Sequence, residues 1–154
     1  MEIIKDKVGL KIERSDNMEK IDVYVDWCDR NFAATFGNNV PGAVVFTAHT
    51  WDEVRQEAKS TLEFHIEGML KDGDEVADWL RNGEYDFVFH PVSTAALLRC
   101  SERYTTMAAL AKASGVNQRQ LSHYANGLKQ PRPQQRQRIV AGLHKIGKQL
   151  MDVE

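Results

Sequence analysis

The 154-residue sequence has only two cysteines, no long apolar run and no recognisable metal-ligand spacing. Cys28 and Cys100 are far apart, so we interpret them as reduced thiols of a cytosolic protein. The five histidines show no paired spacing, which disfavours a zinc site. No apolar segment reaches the roughly 18 residues of a membrane span, and residues 1–10 lack the apolar centre of a secretory signal. We therefore expect a cytoplasmic protein with no cofactor and no membrane contact.

Acidic residues are absent from one long stretch of the sequence. The segment from Arg103 to Lys148 contains nine basic residues and no acidic one. Residues 1–100 hold 11 Lys/Arg and 19 Asp/Glu, a net charge of −8, whereas residues 101–154 hold 9 and 3, a net charge of +6. This division favours nucleic acid as the partner of the second part and a basic protein as the partner of the first. The alternative is an uneven but merely solvated surface, which usually keeps some acids among its bases.

Alternating apolar and polar residues predict strands in the first 92 residues. Val8, Leu10 and Ile12 indicate a short strand or arm within a possible extension, residues 1–17, since Met18 is also a plausible start. Thr50 followed by Glu53 predicts a capping box that begins a long helix with an acidic outer face. The predicted elements are strands at 21–27, 32–36, 43–48 and 85–90, the helix from Thr50, and a short helical piece around 76–80.

Residues 107–127 have the layout of a helix-turn-helix. Two short crossing helices need a small residue where they touch, here Ala111, and a residue that tolerates positive φ in the turn, here Gly115. Asn117 is placed to cap the second helix, while Val116, Leu121 and Tyr124 face inward. A further helix follows Pro133. The pattern, with its exit from Gly127 to Arg132, resembles the Cro/C1-type repressor family over some 45 residues.

The resemblance implies that the second helix enters the major groove of double-stranded DNA with its N-terminal residues on base edges. Asn117 and Gln118 suit adenine, and Arg119 suits guanine. Ser122 and His123 lie one turn further along, within reach of a base or phosphate. Lys129 and Arg132 are better placed for phosphates, which set register rather than sequence. Specific binding by one such motif generally requires two-fold symmetry, so we expect a homodimer or a higher homo-oligomer.

The whole chain from about residue 20 resembles a HicB-type antitoxin. The resemblance is carried by the β-β-β-α-β pattern, the run from Thr47 to Val54 and the helix-turn-helix variant from Leu121 to Pro133. It implies an α+β chain in which a partial RNase H-like domain (1–92) is followed by an all-α DNA-binding domain (93–154). It also implies an antitoxin that binds a small basic HicA-type toxin and represses its own operon. The acidic residues that we assign first to toxin contact are Glu63, Glu67, Asp72, Asp74 and Asp78.

Two other functions compete with this interpretation. The first is a stand-alone transcriptional regulator whose N-terminal domain senses a small ligand or only dimerises. The second is a nuclease, because active RNase H-like folds hold metals with clustered carboxylates. Asp22 and Asp26 share one strand face, but solvent exposure explains both without chemistry, and no further carboxylate obviously joins them. We therefore expect no enzymatic activity.

Overall fold

The computed structural model describes residues 2–5, 11–14 and 18–154. Strands β1 (Glu2–Lys5) and β2 (Lys11–Arg14) pair antiparallel as a two-stranded sheet. Of the predicted N-terminal strand, Ile12 lies in β2, whereas Val8 and Leu10 lie outside the described residues. Apart from this small sheet, the described strands form a single four-stranded sheet.

The four-stranded sheet has the order β5-β4-β3-β6. Its strands are β3 (Glu19–Cys28), β4 (Asn31–Phe36), β5 (Val45–Ala48) and β6 (Tyr85–Pro91). The first three pair antiparallel in chain order, and β6 returns to lie parallel to β3, with Phe89 beside Val23. Strand β5 begins at Val45 rather than at the predicted residue 43. The Thr35 hydroxyl donates to the Val44 carbonyl (3.0 Å), so this carbonyl bonds to a side chain rather than to the backbone of the neighbouring strand.

The connection to β6 runs through helices α1 (Trp51–Asp72) and α2 (Asp78–Arg81). The Thr50 hydroxyl caps α1 by accepting from the Glu53 amide (3.2 Å). In a capping box the Glu53 carboxylate would accept from the amide of the cap residue, Thr50. Here it accepts from the amide of His49 (2.9 Å), one residue earlier. Gly73, with φ near +79°, ends the helix in the left-handed conformation that glycine adopts without strain.

One face of the sheet packs against α1. Ile21, Val23 and Val25 point into this core and are fully buried, as are the facing α1 residues Val54 and Ala58. The large aromatic side chains of β4, β5, β6 and α1 fill the remaining space in edge-on, tilted and stacked contacts. The opposite face is partly exposed: it carries Tyr24, Thr35 and Val45, which lie side by side across three strands.

The C-terminal part is helical. It consists of α3 (Thr94–Ser101), α4 (Met107–Ser114), α5 (Gln118–Ala125) and α6 (Pro133–Met151). Leu98, Leu110, Leu121 and Ile139 contribute one fully buried side chain from each helix, so the four helices share one core. Because helices of eight residues are marginal alone, this shared core supplies most of their stability.

Helices α4 and α6 approach each other at a glycine. A Cβ atom placed on Gly142 would lie 2.7 Å from the Ser114 Cβ and 2.9 Å from the Ser114 Cα, closer than real atoms come. Only glycine fits at this crossing without a backbone shift. Gly147, on the same helix, has open space at the equivalent point.

The described residues thus form a mixed α+β protein, as the sequence predicted at that level, and contain six helices. The finer RNase H-like assignment stays a prediction. The predicted boundary between residues 92 and 93 falls just before α3, and α3 contacts β3 and β6 as well as α5. Within the described part of the chain, no helix combines the length and apolar character needed to cross a membrane.

Candidate nucleic-acid interface

The turn between α4 and α5 has the geometry that the sequence pattern requires. Gly115 has φ near +72°, and its amide donates to the Ala111 carbonyl (2.9 Å), closing α4. Val116 is buried below the turn. The Asn117 side chain then caps α5, its Oδ1 accepting from the Arg119 amide (2.8 Å). Helix α5 therefore starts at a fixed point next to α4.

Helix α5 presents one polar side to solvent. Leu121, Tyr124 and Ala125 are buried against the neighbouring helices, whereas Gln118, Arg119 and Ser122 are exposed. These three predicted DNA contacts share the outer side because α-helical residues three and four positions apart lie on one face. Asn117 is also exposed, but its oxygen already serves the helix cap, which leaves its amide nitrogen as the free donor.

His123 and Gln120 are less accessible than the other polar residues of α5. His123 is half-buried, and its Nδ1 atom is enclosed without a hydrogen-bond partner among the described residues. At most one ring nitrogen of the predicted contact His123 is therefore open to DNA. The Gln120 amide donates to the Tyr124 hydroxyl (2.9 Å), so this side chain serves the helix itself.

The segment between α5 and α6 carries the two predicted phosphate contacts. Lys129 and Arg132 are both exposed. Gly127, with φ near +70°, turns the chain out of α5, and Pro133 begins α6. Further exposed bases lie on the helices beside them: Lys112 on α4, and Arg138, Lys145 and Lys148 on α6.

The five acidic residues assigned to toxin contact are all exposed. Glu63 and Glu67 border a shallow cleft of about 360 Å³ between α1 and the turn before β6, together with Arg81 and Tyr85. Glu67 pairs with Lys71 (3.4 Å), and Asp78 pairs with Arg81. Partial burial, and secondarily the Glu63 charge, raise the pKa of the Tyr85 phenol. Asp72 and Asp74 lie at the end of α1, on either side of Gly73.

The two aspartates of the nuclease alternative have local partners. The Asp22 carboxylate lies 2.8 Å from the His90 ring, which stacks on Tyr24, so solvation alone does not account for Asp22. Asp26 accepts from the backbone amide of Trp27 (2.7 Å). Across the described residues, no group of three or more His, Cys, Asp or Glu side chains is arranged to hold a metal ion.

Sequence reasoning missed two arginines that hold the helical part together. The guanidinium of Arg99 donates to the Ala125 carbonyl and to the Asn126 side chain, and that of Arg136 donates to the Thr94 hydroxyl (2.7 Å). Their partners lie 26 to 42 residues away along the chain. Neither spacing nor periodicity signals such contacts.

The chain was compared with protein-family models, curated proteins and solved structures, and none of the three comparisons found a match.

Proposed function

We propose that the chain binds double-stranded DNA through α5 and is an antitoxin of the HicB type that represses its own operon. The observation that carries the DNA-binding part is the outer side of α5. Gln118, Arg119 and Ser122 point away from the core on a short helix whose start and end are both fixed. This helix lies in a segment, 103–148, that has nine bases and no acid.

The chemistry of these side chains suits groove recognition. An arginine can donate two bonds to guanine O6 and N7, and a glutamine can bond both N6 and N7 of adenine. Lys129 and Arg132 lie in the segment that follows α5 and would contact phosphates. Two copies related by a two-fold axis would read two half-sites about one helical turn of DNA apart.

The antitoxin part rests on the resemblance and on the acidic sheet region. The order β-β-β-α-β supports an RNase H-like assignment. Residues 18–92 carry 15 Asp/Glu and 6 Lys/Arg, a net charge of −9. This charge supports a basic protein partner, because complementary charge speeds encounter and selects among partners. The proposal assigns no reaction to the chain, and metal-dependent cleavage of RNA or DNA that is lost in Asp22→Asn would contradict it.

The DNA claim is tested by binding of the full chain to duplexes selected from a random pool. With about six phosphates neutralised per dimer, the log–log salt slope should lie near −5. The double variant Gln118→Ala/Arg119→Ala should lose about 10- to 100-fold affinity for the selected duplex. The matched control is Gln137→Ala/Arg138→Ala, which removes the same exposed pair from α6. A salt slope near zero, or equal affinities for both double variants, would reject DNA reading by α5.

The antitoxin claim is tested by co-expression with a short basic reading frame adjacent to the gene, of roughly 60 to 80 residues. We expect a stable complex and restored growth. The variant Glu63→Lys should weaken the complex, whereas Glu57→Lys, the same charge reversal at an exposed residue of the same helix outside the assigned set, is the control for charge alone. Absence of complex and rescue would reject this part and leave the DNA claim standing.

A cleft beside the helical part favours the second candidate, a ligand-sensing regulator. It measures about 480 Å³ and is lined by Trp27, Trp51, His49 and Arg103, among others. Aromatic rings beside guanidinium groups suit a small planar anion. This candidate predicts that small anionic aromatics raise the melting temperature of the purified chain and change its affinity for the selected duplex, with no protein partner present.

A further inference from the structure

Arg99 connects three separate parts of the molecule with one guanidinium group. Its Nε donates to the carbonyl of Ala125 (3.1 Å), the last residue of α5, and its terminal nitrogens donate to the side chains of Asn126 (2.6 Å) and Glu102 (3.2 Å). The Cζ atom of the same group lies over the Trp27 ring of β3, 4.8 Å from the ring centroid. The side chain is only 25% exposed, so little solvent competes for these contacts.

Arginine is chemically suited to this position. The last carbonyls of a helix have no partners within the helix and carry partial negative charge, which a cation at that end stabilises. A planar guanidinium can donate in several in-plane directions and still stack its face on an aromatic ring. A lysine ammonium is a point charge and cannot keep all of these contacts. Arg99 therefore fixes where the end of α5 lies relative to α3.

The Trp27 side of this connection is anchored in the sheet. The Trp27 ring packs edge-on against Phe32 (4.9 Å between centroids), and Phe32 packs edge-on against Trp51 (5.6 Å). Trp51 is buried at the start of α1. The position of Arg99, and through it the end of α5, is thus set by the aromatic core of the sheet as well as by the helices.

A second arginine near the end of α3 makes a comparable contact that does not involve α5. Arg103 pairs with Asp52 of α1 (2.8 Å) and lies over the ring of its neighbour Tyr104. It links the sheet region to the helical region without touching the DNA-reading helix. Arg103 is therefore a matched control for Arg99.

We propose that Arg99 is a positioning residue for DNA recognition. It holds α5 in the orientation from which Gln118 and Arg119 reach base edges, and it makes that orientation depend on Trp27 in the sheet. This inference rests on the proposed DNA binding. It adds that the contact between Arg99 and Trp27 is needed for discrimination among DNA sequences and is not needed for general affinity for DNA.

The distinction is measurable because the two kinds of affinity have different sources. Contacts to phosphates carry binding to any duplex and tolerate a small rotation of α5, whereas hydrogen bonds to base edges need close alignment. A variant that only lowered the folded fraction would reduce both affinities by the same factor. Loss of positioning lowers the affinity for the preferred duplex and leaves the affinity for a randomised duplex nearly unchanged.

The experiment measures binding of full-length variants to the preferred and to a randomised duplex. We expect Arg99→Met to lose roughly 10- to 100-fold affinity for the preferred duplex and less than about 2-fold for the randomised one. Arg99→Lys should not restore the loss, since the charge alone is insufficient. Trp27→Leu, which changes only the sheet, should lose about 3- to 30-fold on the preferred duplex. Arg103→Met, which removes the same charge, should keep the wild-type ratio between the two affinities.

Several outcomes overturn the proposal. An equal loss on both duplexes shows that Arg99 only stabilises the fold, and no loss on either shows that α5 does not need it. Wild-type affinity in Arg99→Lys would show that only the positive charge of this side chain matters. If Arg99→Met does not fold, the test is made with Trp27→Leu. An equal loss of affinity for both duplexes, or no loss for either, in that variant would reject the dependence on the sheet. If the wild type itself prefers no duplex, the proposed function fails, and this result is recognised before any variant is measured.

Discussion

The sheet region and the helical region are built on different principles. The core of the sheet is large and aromatic, with rings from β4, β6 and α1 in mutual contact. The core of the helical region is mainly aliphatic and draws one fully buried leucine or isoleucine from each helix. Residues 18–92 have a net charge of −9, whereas residues 93–154, with 10 bases and 3 acids, have a net charge of +7.

The difference shows where each region is vulnerable. A ten-residue central strand with neighbours on both sides has many contacts to share the effect of one substitution. Three helices of eight residues each depend on a few buried side chains, a cap and a glycine turn. Substitutions in the helical core should therefore have the largest effects, and they test whether the two regions unfold together.

The largest effect is expected from Leu121→Ala. This side chain is completely buried at the centre of the helical core, so its truncation should lower the free energy of unfolding by about 2–5 kcal/mol. The measurement is urea denaturation followed by circular dichroism and by tryptophan fluorescence. All three tryptophans lie in the sheet region. Early loss of helix signal with unchanged fluorescence would show that the regions unfold independently.

The control for this substitution is Leu128→Ala, seven residues along the chain. Leu128 is 71% exposed, and its truncation should change stability by less than about 0.5 kcal/mol. Similar losses for both leucines would contradict the core described for the helical region.

A smaller effect, with a control of opposite sign, is expected at the crossing of α4 and α6. Gly142→Ala should cost about 1–3 kcal/mol, because the added methyl group meets the Ser114 backbone. Gly147→Ala, with open space around it, should instead stabilise the chain by about 0.5–1 kcal/mol through helix propensity. Thermal unfolding of the two variants measures the difference, and shifts of the same sign would contradict the close approach.

The turn between α4 and α5 separates the cost of backbone strain from the cost of packing. A Cβ on Gly115 would meet nothing within 4 Å, so the cost of Gly115→Ala comes from the positive φ and should be about 1–2 kcal/mol. Gly115→Asn should recover part of that loss, because asparagine tolerates this conformation better. Equal stability of the alanine variant and the wild type, measured by urea denaturation, would contradict the left-handed turn.

The sequence predicted local features of both regions and missed contacts between distant residues. Local patterns located the four strands of the larger sheet, and the Thr50 and Asn117 caps follow from short-range hydrogen bonding. The Gly142–Ser114 approach and the Arg99 contacts join residues more than 25 positions apart. The enclosure of His123 Nδ1 also depends on neighbouring helices. No local pattern fixes these features.

The smallest expected effect concerns the two thiols, which lie in different surroundings. Cys28, at the end of β3, is exposed, whereas Cys100 is half-buried in α3 against the aromatic core of the sheet. Burial raises the pKa of the Cys100 thiol above its ordinary value of 9.0, and the Arg103 charge offsets only part of that rise. Since the thiolate is the reacting form, Cys100 should react more slowly than Cys28 with a disulfide reagent at pH 8.

The raised pKa of Cys100 also makes the stability of the folded chain depend on pH. Because the folded state binds the Cys100 proton more tightly than the unfolded state, this thiol's contribution to stability is complete below the ordinary pKa of 9.0 and is lost as the pH rises above it.

Arg103→Met should raise the pKa of the Cys100 thiol further and slow its reaction, with no change at Cys28. In concentrated urea the two thiols should react at similar rates. Faster reaction of Cys100 than of Cys28 in the folded chain would contradict the packing of α3 on the sheet, the contact from which Arg99 reaches Trp27.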